Sequence, residues 1–580
     1  MAGLRAWLLC MAVALTPIAQ AQRISKPGEY AGYSPRLYDR WVRSSVYVPV
    51  RDGTRLAVDI YRPATTSGQP VDKPYPVLWT HTPYQRAVRA ADGSVQLSGD
   101  TFMPSRDLVL HGYVVAIVDT RGKGASFGTR RGMQDSTEGR DAYDMTEWLA
   151  RQPWSDGQVG MLGCSYVGDA QNNAAATTPP SLKAIFPGAS SFNRYDFVSR
   201  GGLTAQFHTR PEDPRDQGAG TLPVDADPQG LDLAAAREGH VRNTAMASIW
   251  KDIPFRDDWS PLLKSRFWEE TSLSTYRNAV EMRGPVMYRW TGWADEFSAE
   301  QFIARANLKN VVKLLIGPEG HCRSDQFNLF AEHLRYFDRY LKGVDNGIDR
   351  EPSIHYYTYN AEPGHEWRSA DSWPLPGTRK ERYFLSAEHG LASGKPGRAG
   401  VLRFEVDYAV VKNDGKTLLW PVSQFGHGLS YVTPPFTEDM QLTGHAVVSL
   451  WISTTATDGD VFAYLEEVHP DGSSALRAHG RLRASHRKLG TPPHDYLGLP
   501  WHRSFREDHA PMRPGVPEEL RFDLLPTSTL LRKGDRLRLV ITGADPRQRS
   551  VPADAPPTVS VHSGGTMASY IELPFVPLKD

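Results

Sequence analysis

The chain has 580 residues, with 66 Lys plus Arg against 66 Asp plus Glu, and a formal net charge of zero. That balance leaves no electrostatic footprint for nucleic acid or for an anionic membrane surface, and it argues against both as partners. Aromatic residues make up 10% of the chain and tryptophan alone counts 15, enough to fill a large core and to exclude a disordered chain; the length suits two or three domains.

The N-terminus reads as a targeting segment. Arg5 is a lone positive charge, Ala6 to Ile18 is mostly apolar, and Ala19-Gln20-Ala21 fits a small-x-small cleavage site. This predicts a secretory signal peptide over residues 1–21 and a secreted or periplasmic mature protein. The apolar run is too short to cross a bilayer comfortably and Pro17 interrupts it, so no membrane span is predicted. Cys10 leaves with the signal segment, and its neighbours Leu8, Leu9 and Met11 lack the small residues of a lipidation site. The mature chain then keeps Cys164 and Cys322. So few cysteines imply reliance on a core rather than on disulfides, and they exclude a structural zinc site built on thiolates.

From Val46 to Tyr61 the chain reads as strand, turn at Asp52-Gly53, and strand. Pro76 to Thr80, Tyr113 to Val118 and Val159 to Leu162 are short apolar runs suited to buried strands. Asp141 to Ala150 reads as a helix with Ala142, Met145, Trp148 and Leu149 on one face, and Asp169 to Ala176 as a small-residue helix. Buried strands alternating with helices predict a mostly parallel sheet covered on both faces. Residues from about Phe192 to Met282 break the rhythm with Asp-, Pro- and Gly-rich loops and helices, as an inserted helical cap would. The sheet resumes at Val286 to Trp290 and Lys313 to Ile316, followed by a charged helix over Asp325 to Leu341.

Beyond Trp373-Pro374-Leu375-Pro376 strand-like runs dominate: Arg382 to Leu385, His445 to Ile452, Val461 to Val468 and Leu537 to Thr542, separated by turns such as Asp471-Gly472 and Lys533-Gly534-Asp535. This predicts a β-sandwich or jelly roll. The predicted organisation is a signal peptide over 1–21, the first part of an α/β domain over 22–190, a helical cap over 191–282, the second part over 283–372, and a β-sandwich over 373–580.

The strongest chemical signal is Gly163-Cys164-Ser165-Tyr166-Val167-Gly168, placed between a strand and a helix. A serine there sits on a sharp turn with the helix N-terminus and the Tyr166 N–H aimed at a developing oxyanion. An acid and then a histidine must follow in the chain. Asp295 lies after the strand Val286 to Trp290, and His321 after Lys313 to Ile316. Both therefore fall at strand C-terminal ends, the edge that carries Ser165 and where α/β sheets bind ligands. Singly each reads as an ordinary loop residue; together, in this order, they read as a Ser-His-Asp triad. Cys164 and Cys322 adjoin two of its members. They can pair only if their backbones approach closely, and because neighbouring side chains point away from a shared site the expectation is two free thiols.

Three segments, Trp154-Ser155-Asp156-Gly157 running into the Ser165 motif, Asp119 to Gly128, and Phe337 to Gly347, resemble the cocaine esterase-like hydrolases, relatives of X-Pro dipeptidyl-peptidases, glutaryl acylases and α-amino acid ester hydrolases. The resemblance implies an α/β-hydrolase fold with a helical cap and a C-terminal all-β jelly roll of galactose-binding-like type. It carries the nucleophile to Ser165, the acid to Asp295 and the base to His321. It also implies that Tyr84, otherwise a buried loop aromatic, donates its phenol to the oxyanion beside the Tyr166 N–H. The implied chemistry is acyl transfer through a covalent serine ester on a small-molecule ester or amide, needing neither a metal nor an organic cofactor. Oligomeric state is left open.

Three departures limit what carries over. Ala294 stands where relatives often have an aromatic, Glu319 where they often have Trp, and Ser265 where an acidic residue often precedes the Phe-Trp pair, here Phe267-Trp268. The last weakens a carboxylate grip on a substrate α-amino group. Glu319, Asp169 and Glu296 could supply that charge instead, but they read as solvated loop acids. Two alternatives to an esterase or acylase remain: an X-Pro dipeptidyl-peptidase, and a non-catalytic carbohydrate-binding protein whose binding would survive loss of Ser165.

Overall fold

The computed structural model describes residues 34–97, 106–204, 220–411, 420–548, 551–553 and 555–578. The segment read as a signal peptide lies outside them. Among the described residues no helix is long and apolar enough to cross a membrane.

The first half is organised by one ten-stranded sheet. Its chain opens with β1 (Arg40–Pro49) and β2 (Arg55–Ala64), an antiparallel pair whose turn uses Gly53 at φ 82°. Next come β3 (Tyr75–Thr82), a small separate hairpin of β4 (Ala87–Arg89) and β5 (Val95–Leu97), and β6 (Val114–Asp119). Helix α1 (Ser136–Ala150) is capped by the Asp135 side chain and leads to β7 (Ser155–Cys164), α2 (Tyr166–Thr177) and β8 (Leu182–Gly188). After an intervening helical stretch the sheet continues with β9 (Val286–Ala294), β10 (Val311–Gly320), β11 (Ile354–Tyr357) and β12 (Trp367–Ala370). The spatial order is β1-β2-β6-β3-β7-β8-β9-β10-β11-β12, and every pair from β6 to β11 is parallel.

Every residue of β3 and β6 is buried, which is why they read as unbroken apolar runs. One core cluster, around Trp79, Met145 and Met161, packs one face; another, around Leu78, Leu162, Phe186 and Phe337, packs the other. The fold is therefore an α/β-hydrolase sheet. Short helices such as Leu231–His240, Met246–Asp252 and Arg277–Arg283 occupy the stretch between β8 and β9.

The charged helix predicted over Asp325 to Leu341 begins later, at Leu329, and ends at Tyr340. Asn328 caps it by accepting from Ala331 N at 3.1 Å, while Gln326 N is taken by Glu319 Oε1 at 2.5 Å. The earlier residues thus spend a backbone donor on a side chain instead of on a helix. β11 and β12 went unread in the sequence because each has only four residues.

The second half is a β domain of a nine-stranded and a four-stranded sheet, with a core including Leu450, Leu465 and Phe522. The strand predicted over His445 to Ile452 runs instead over Val447–Thr454, after Gly444 at φ 134°. Backbone bonds tie the two halves: Tyr359 N donates to Ser528 O and Leu530 N to Tyr359 O, both at 2.9 Å.

Helix α2 packs against β8 at backbone contact. A Cβ on Gly168 would lie 2.1 Å from Gly188 O, so only glycine lets the helix sit there. Gly168→Ala is expected to force the helix off the sheet and destabilise by about 1–3 kcal/mol or more, read as a lowered thermal midpoint.

Candidate active site

Four sequence-predicted positions converge on the C-terminal edge of the sheet. Tyr84 follows β3, Ser165 follows β7, Asp295 follows β9 and His321 follows β10. Ser165 has φ 65° and ψ −127°, a conformation rare for a residue bearing a side chain. Its N–H donates to Gly188 O at 3.0 Å, and its carbonyl accepts from Asp169 N at 2.9 Å to start α2. Gly163 is at φ 140°, and a Cβ there would fall 2.1 Å from Val167 Cγ1. The sharp turn thus depends on glycine on both sides.

Asp295 is 1% exposed. Its Oδ2 faces His321 Nδ1 at 3.0 Å and accepts from Thr291 Oγ1 at 2.8 Å, while Oδ1 accepts from Phe297 N at 3.3 Å. With Nδ1 turned to the carboxylate, Nε2 is the nitrogen left to take a proton. The Phe297 ring stacks on His321 at 5.7 Å and on Phe197 at 3.8 Å. Burial alone would lower the His321 pKa. The charge and hydrogen bond of Asp295, with a further contribution from Asp169, reverse this and raise it above 6.5.

The Tyr84 residue is 40% exposed, yet desolvation raises the pKa of its phenol. That hydroxyl lies in hydrogen-bonding reach of the Ser165 side chain and of the Tyr166 backbone. Tyr166 is itself anchored. Its hydroxyl donates to Glu138, with oxygens at 2.6 and 2.7 Å, and its carbonyl accepts from Gln134 Nε2 at 2.8 Å. Burial, with Asp135 nearby, pushes Glu138 up to about 7. Sequence reasoning missed Glu138; the available signal was a carboxylate one turn before Ala142 and two before Met145 on the buried face of α1.

The reading of Asp169, Glu296 and Glu319 as solvated loop acids is corrected. Asp169 is buried and accepts from Arg194 at 2.6 Å and from Ser191 N at 2.8 Å. Glu296 is 4% exposed and accepts from Arg547 and, at 3.1 Å, from Arg481, both of the β domain. Burial would raise its pKa, but Arg481, His479, Arg547 and Arg200 hold it well below the carboxylate range. Burial also lowers the Arg481 pKa, though a guanidinium keeps its charge. Glu319 is half-buried and folds back on its own loop to cap Gln326 N. All three were misread because their partners are remote in sequence or lie within the loop itself.

The expectation of two free thiols is likewise overturned. Cys164 and Cys322 form a disulfide with Cα atoms 5.8 Å apart. Strand β10 is not a neighbour of β7, but the loop beyond it returns toward β7. Elsewhere, Glu467, His469 and Asp535 of the β domain bring possible metal ligands within 4.8 Å of one another. They are already engaged: Glu467 accepts from Arg477 at 2.7 Å and His469 Nδ1 faces Asp535 at 3.1 Å.

A strand-turn-helix serine, an Asp–His pair and a parallel sheet edge define an α/β-hydrolase of the serine hydrolase class. The family model described as X-Pro dipeptidyl-peptidase (S15 family) matches residues 52–323, and that of the X-Pro dipeptidyl-peptidase C-terminal non-catalytic domain matches 346–572. A Mycobacterium bovis protein provisionally named a serine esterase is 32% identical over 626 residues, covering 95% of this chain and 98% of its own. The cocaine esterase of a Rhodococcus species is 27% identical over 568 residues, covering 87% and 91% respectively. A solved CocE/NonD family hydrolase from Staphylococcus aureus superposes with a TM-score of 0.72 at 21% identity, over 92% of this chain and 94% of that one. The chain belongs to the cocaine esterase-like (CocE/NonD) family of α/β-hydrolases and is a serine hydrolase.

Glu296 adjoins Asp295, so its clamp bears on the acid. Its stabilising contribution is present above the unfolded carboxylate pKa and is lost only as pH falls through the depressed folded value. Glu296→Gln leaves buried guanidinium charge uncompensated. It is expected to destabilise by about 3–5 kcal/mol, read by thermal unfolding at neutral pH.

Proposed function

We propose that the protein is a secreted serine esterase acting on small-molecule esters whose acyl part carries no free amino group. The carrying observation is the 3.0 Å contact of His321 Nδ1 with Asp295, at the sheet edge where Ser165 sits on its strained turn. His321 Nε2 takes the Ser165 proton, Ser165 Oγ attacks the acyl carbonyl, and the alcohol leaves with the proton returned by His321. Water then cleaves the acyl-enzyme with His321 again as base. Asp295 fixes the imidazole tautomer and stabilises its charged form. The Tyr84 phenol and the Tyr166 N–H hold the tetrahedral oxyanion, each such donor being worth about 3–4 kcal/mol in the transition state.

The choice of a neutral acyl group rests on the neighbouring acids. A dipeptidyl-peptidase needs an anion to receive the substrate ammonium. Asp169 is paired with Arg194 and Glu296 with Arg481 and Arg547, while Glu319 caps its own loop with one oxygen and burial raises its pKa, favouring the uncharged form. Secretion is supported by the signal-like N-terminus and by the disulfide, which suits an oxidising compartment.

The test is a substrate panel of p-nitrophenyl esters against an X-Pro chromogenic amide, with a fluorophosphonate probe. Ester turnover lost in Ser165→Ala, and probe bound to Ser165, are expected; turnover of the amide alone would sink the esterase reading. The raised His321 pKa gives a second outcome. Because His321 acts as the neutral base, kcat/KM should fall with acidification through a limb above pH 6.5. Asp295→Asn removes the dominant raising influence and leaves burial, so the limb should move to lower pH while kcat drops by roughly 10⁴.

A further inference from the structure

Cys164 immediately precedes Ser165, Cys322 immediately follows His321, and the two are joined. Strands β7 and β10, from which these residues emerge, are separated by β8 and β9. Three strand spacings put them about 14 Å apart at the sheet. The hydrogen-bond ladder therefore does not bring His321 to Ser165. The loop beyond Gly320 must pass back over the ends of β9 and β8.

The other tethers of that loop stop short of β7. Gly320 pairs with Ala294 of β9. His321 bonds to Asp295, also beyond β9. Pro318 O accepts from Tyr359, beyond β11, at 2.6 Å. Arg323 N and Gln326 N close on Gly320 and Glu319 of the loop itself. Among the described residues the disulfide is the covalent connection that runs to β7, where its other end is seated: Cys164 is buried and pairs with Gly188 of β8. Cys322 takes φ 59°, a left-handed turn that redirects the chain after His321.

We propose that the Cys164–Cys322 disulfide is a positioning element for catalysis, a covalent staple that holds the His321 loop over the Ser165 turn. It touches no substrate and acts through its two neighbours, so the inference rests on the catalytic reading of Ser165 and His321. Opening it frees the loop to move along the sheet edge while Asp295 stays bonded to His321. The base then loses register with the serine, and the oxyanion donors are left in place.

The experiment uses the full mature chain and a small dithiol reductant. The dithiol gives up two electrons and two protons and closes to a cyclic disulfide. Cys164 and Cys322 each take one electron and one proton and become thiols. Thiol titration and intact mass report the opening, the fluorophosphonate labelling rate and ester kinetics report the site, and circular dichroism reports the fold. In the reduced enzyme kcat and labelling rate should fall by roughly 10- to 100-fold with KM within about twofold, the scale of a small misplacement of reacting groups. Reoxidation should restore both, and the double variant Cys164→Ala with Cys322→Ala should match the reduced enzyme without responding to the dithiol.

Two free thiols in the untreated enzyme would overturn the proposal. So would a reduced enzyme with full kcat, or a reduced enzyme and double variant that both lose their circular dichroism signal, since the bridge would then serve stability alone. Failure of the probe to label the oxidised enzyme would instead indict the catalytic assignment, which keeps the two readings separable.

Discussion

The turn at Ser165 is the constraint on which the site depends. Its backbone is held at φ 65° and ψ −127°, a sparsely populated conformation that costs a residue with a side chain about 1–3 kcal/mol. The fold holds it there by removing side chains around it. Gly163 makes room for Val167, and Gly168 lets α2 touch β8. Ser165 N is then fixed to Gly188 O, and Ser165 O to Asp169 N. Once the turn is set, the Tyr166 N–H is presented beside the hydroxyl, Tyr84 reaches both, and Cys164 comes within disulfide distance of the loop after β10.

Charge is organised by the same economy of space. Asp295 and Glu296 are adjacent and both buried, yet they serve different halves of the molecule. Asp295 is bonded to His321 within the hydrolase sheet, and Glu296 to Arg481 and Arg547 of the β domain. A buried carboxylate without a partner is strongly destabilising, so the second pair is a condition for placing the loop in the interior at all. The Arg200–Asp523 pair at 2.6 Å adds another link between the stretch following β8 and the β domain.

Much of this was legible in the sequence, for reasons that can be named. The buried strands β3 and β6 and the second part of β7, from Val159, announce themselves because both faces are covered. The meeting of Ser165, Asp295 and His321 at one edge was legible because chain order along a parallel sheet fixes which loops share it. What escaped depends on distance along the chain. Glu296 finds Arg481 at a separation of 185 residues and Arg547 at 251, and no local pattern encodes either pairing. The disulfide escaped for a subtler reason. Neighbouring side chains do diverge from a shared centre, but two residues each displaced by one position can still meet if their backbones converge, as those of Cys164 and Cys322 do at 5.8 Å.

The β domain is therefore better understood as part of the frame of the candidate site than as an appendage. Its strand Ser474–Arg483 supplies Arg481 to the residue beside Asp295, and its strand Thr527–Leu531 bonds through the backbone to Tyr359, whose hydroxyl holds Pro318 at the root of the His321 loop. Two of the loops that carry the proposed triad are thus buttressed from outside the sheet that bears them, and the third is fixed within it by glycines. A parallel sheet can deliver catalytic residues to one edge, but its ladder ends where their loops begin. Beyond that point register has to come from elsewhere, and here it comes from a neighbouring domain on one side and a covalent bridge on the other.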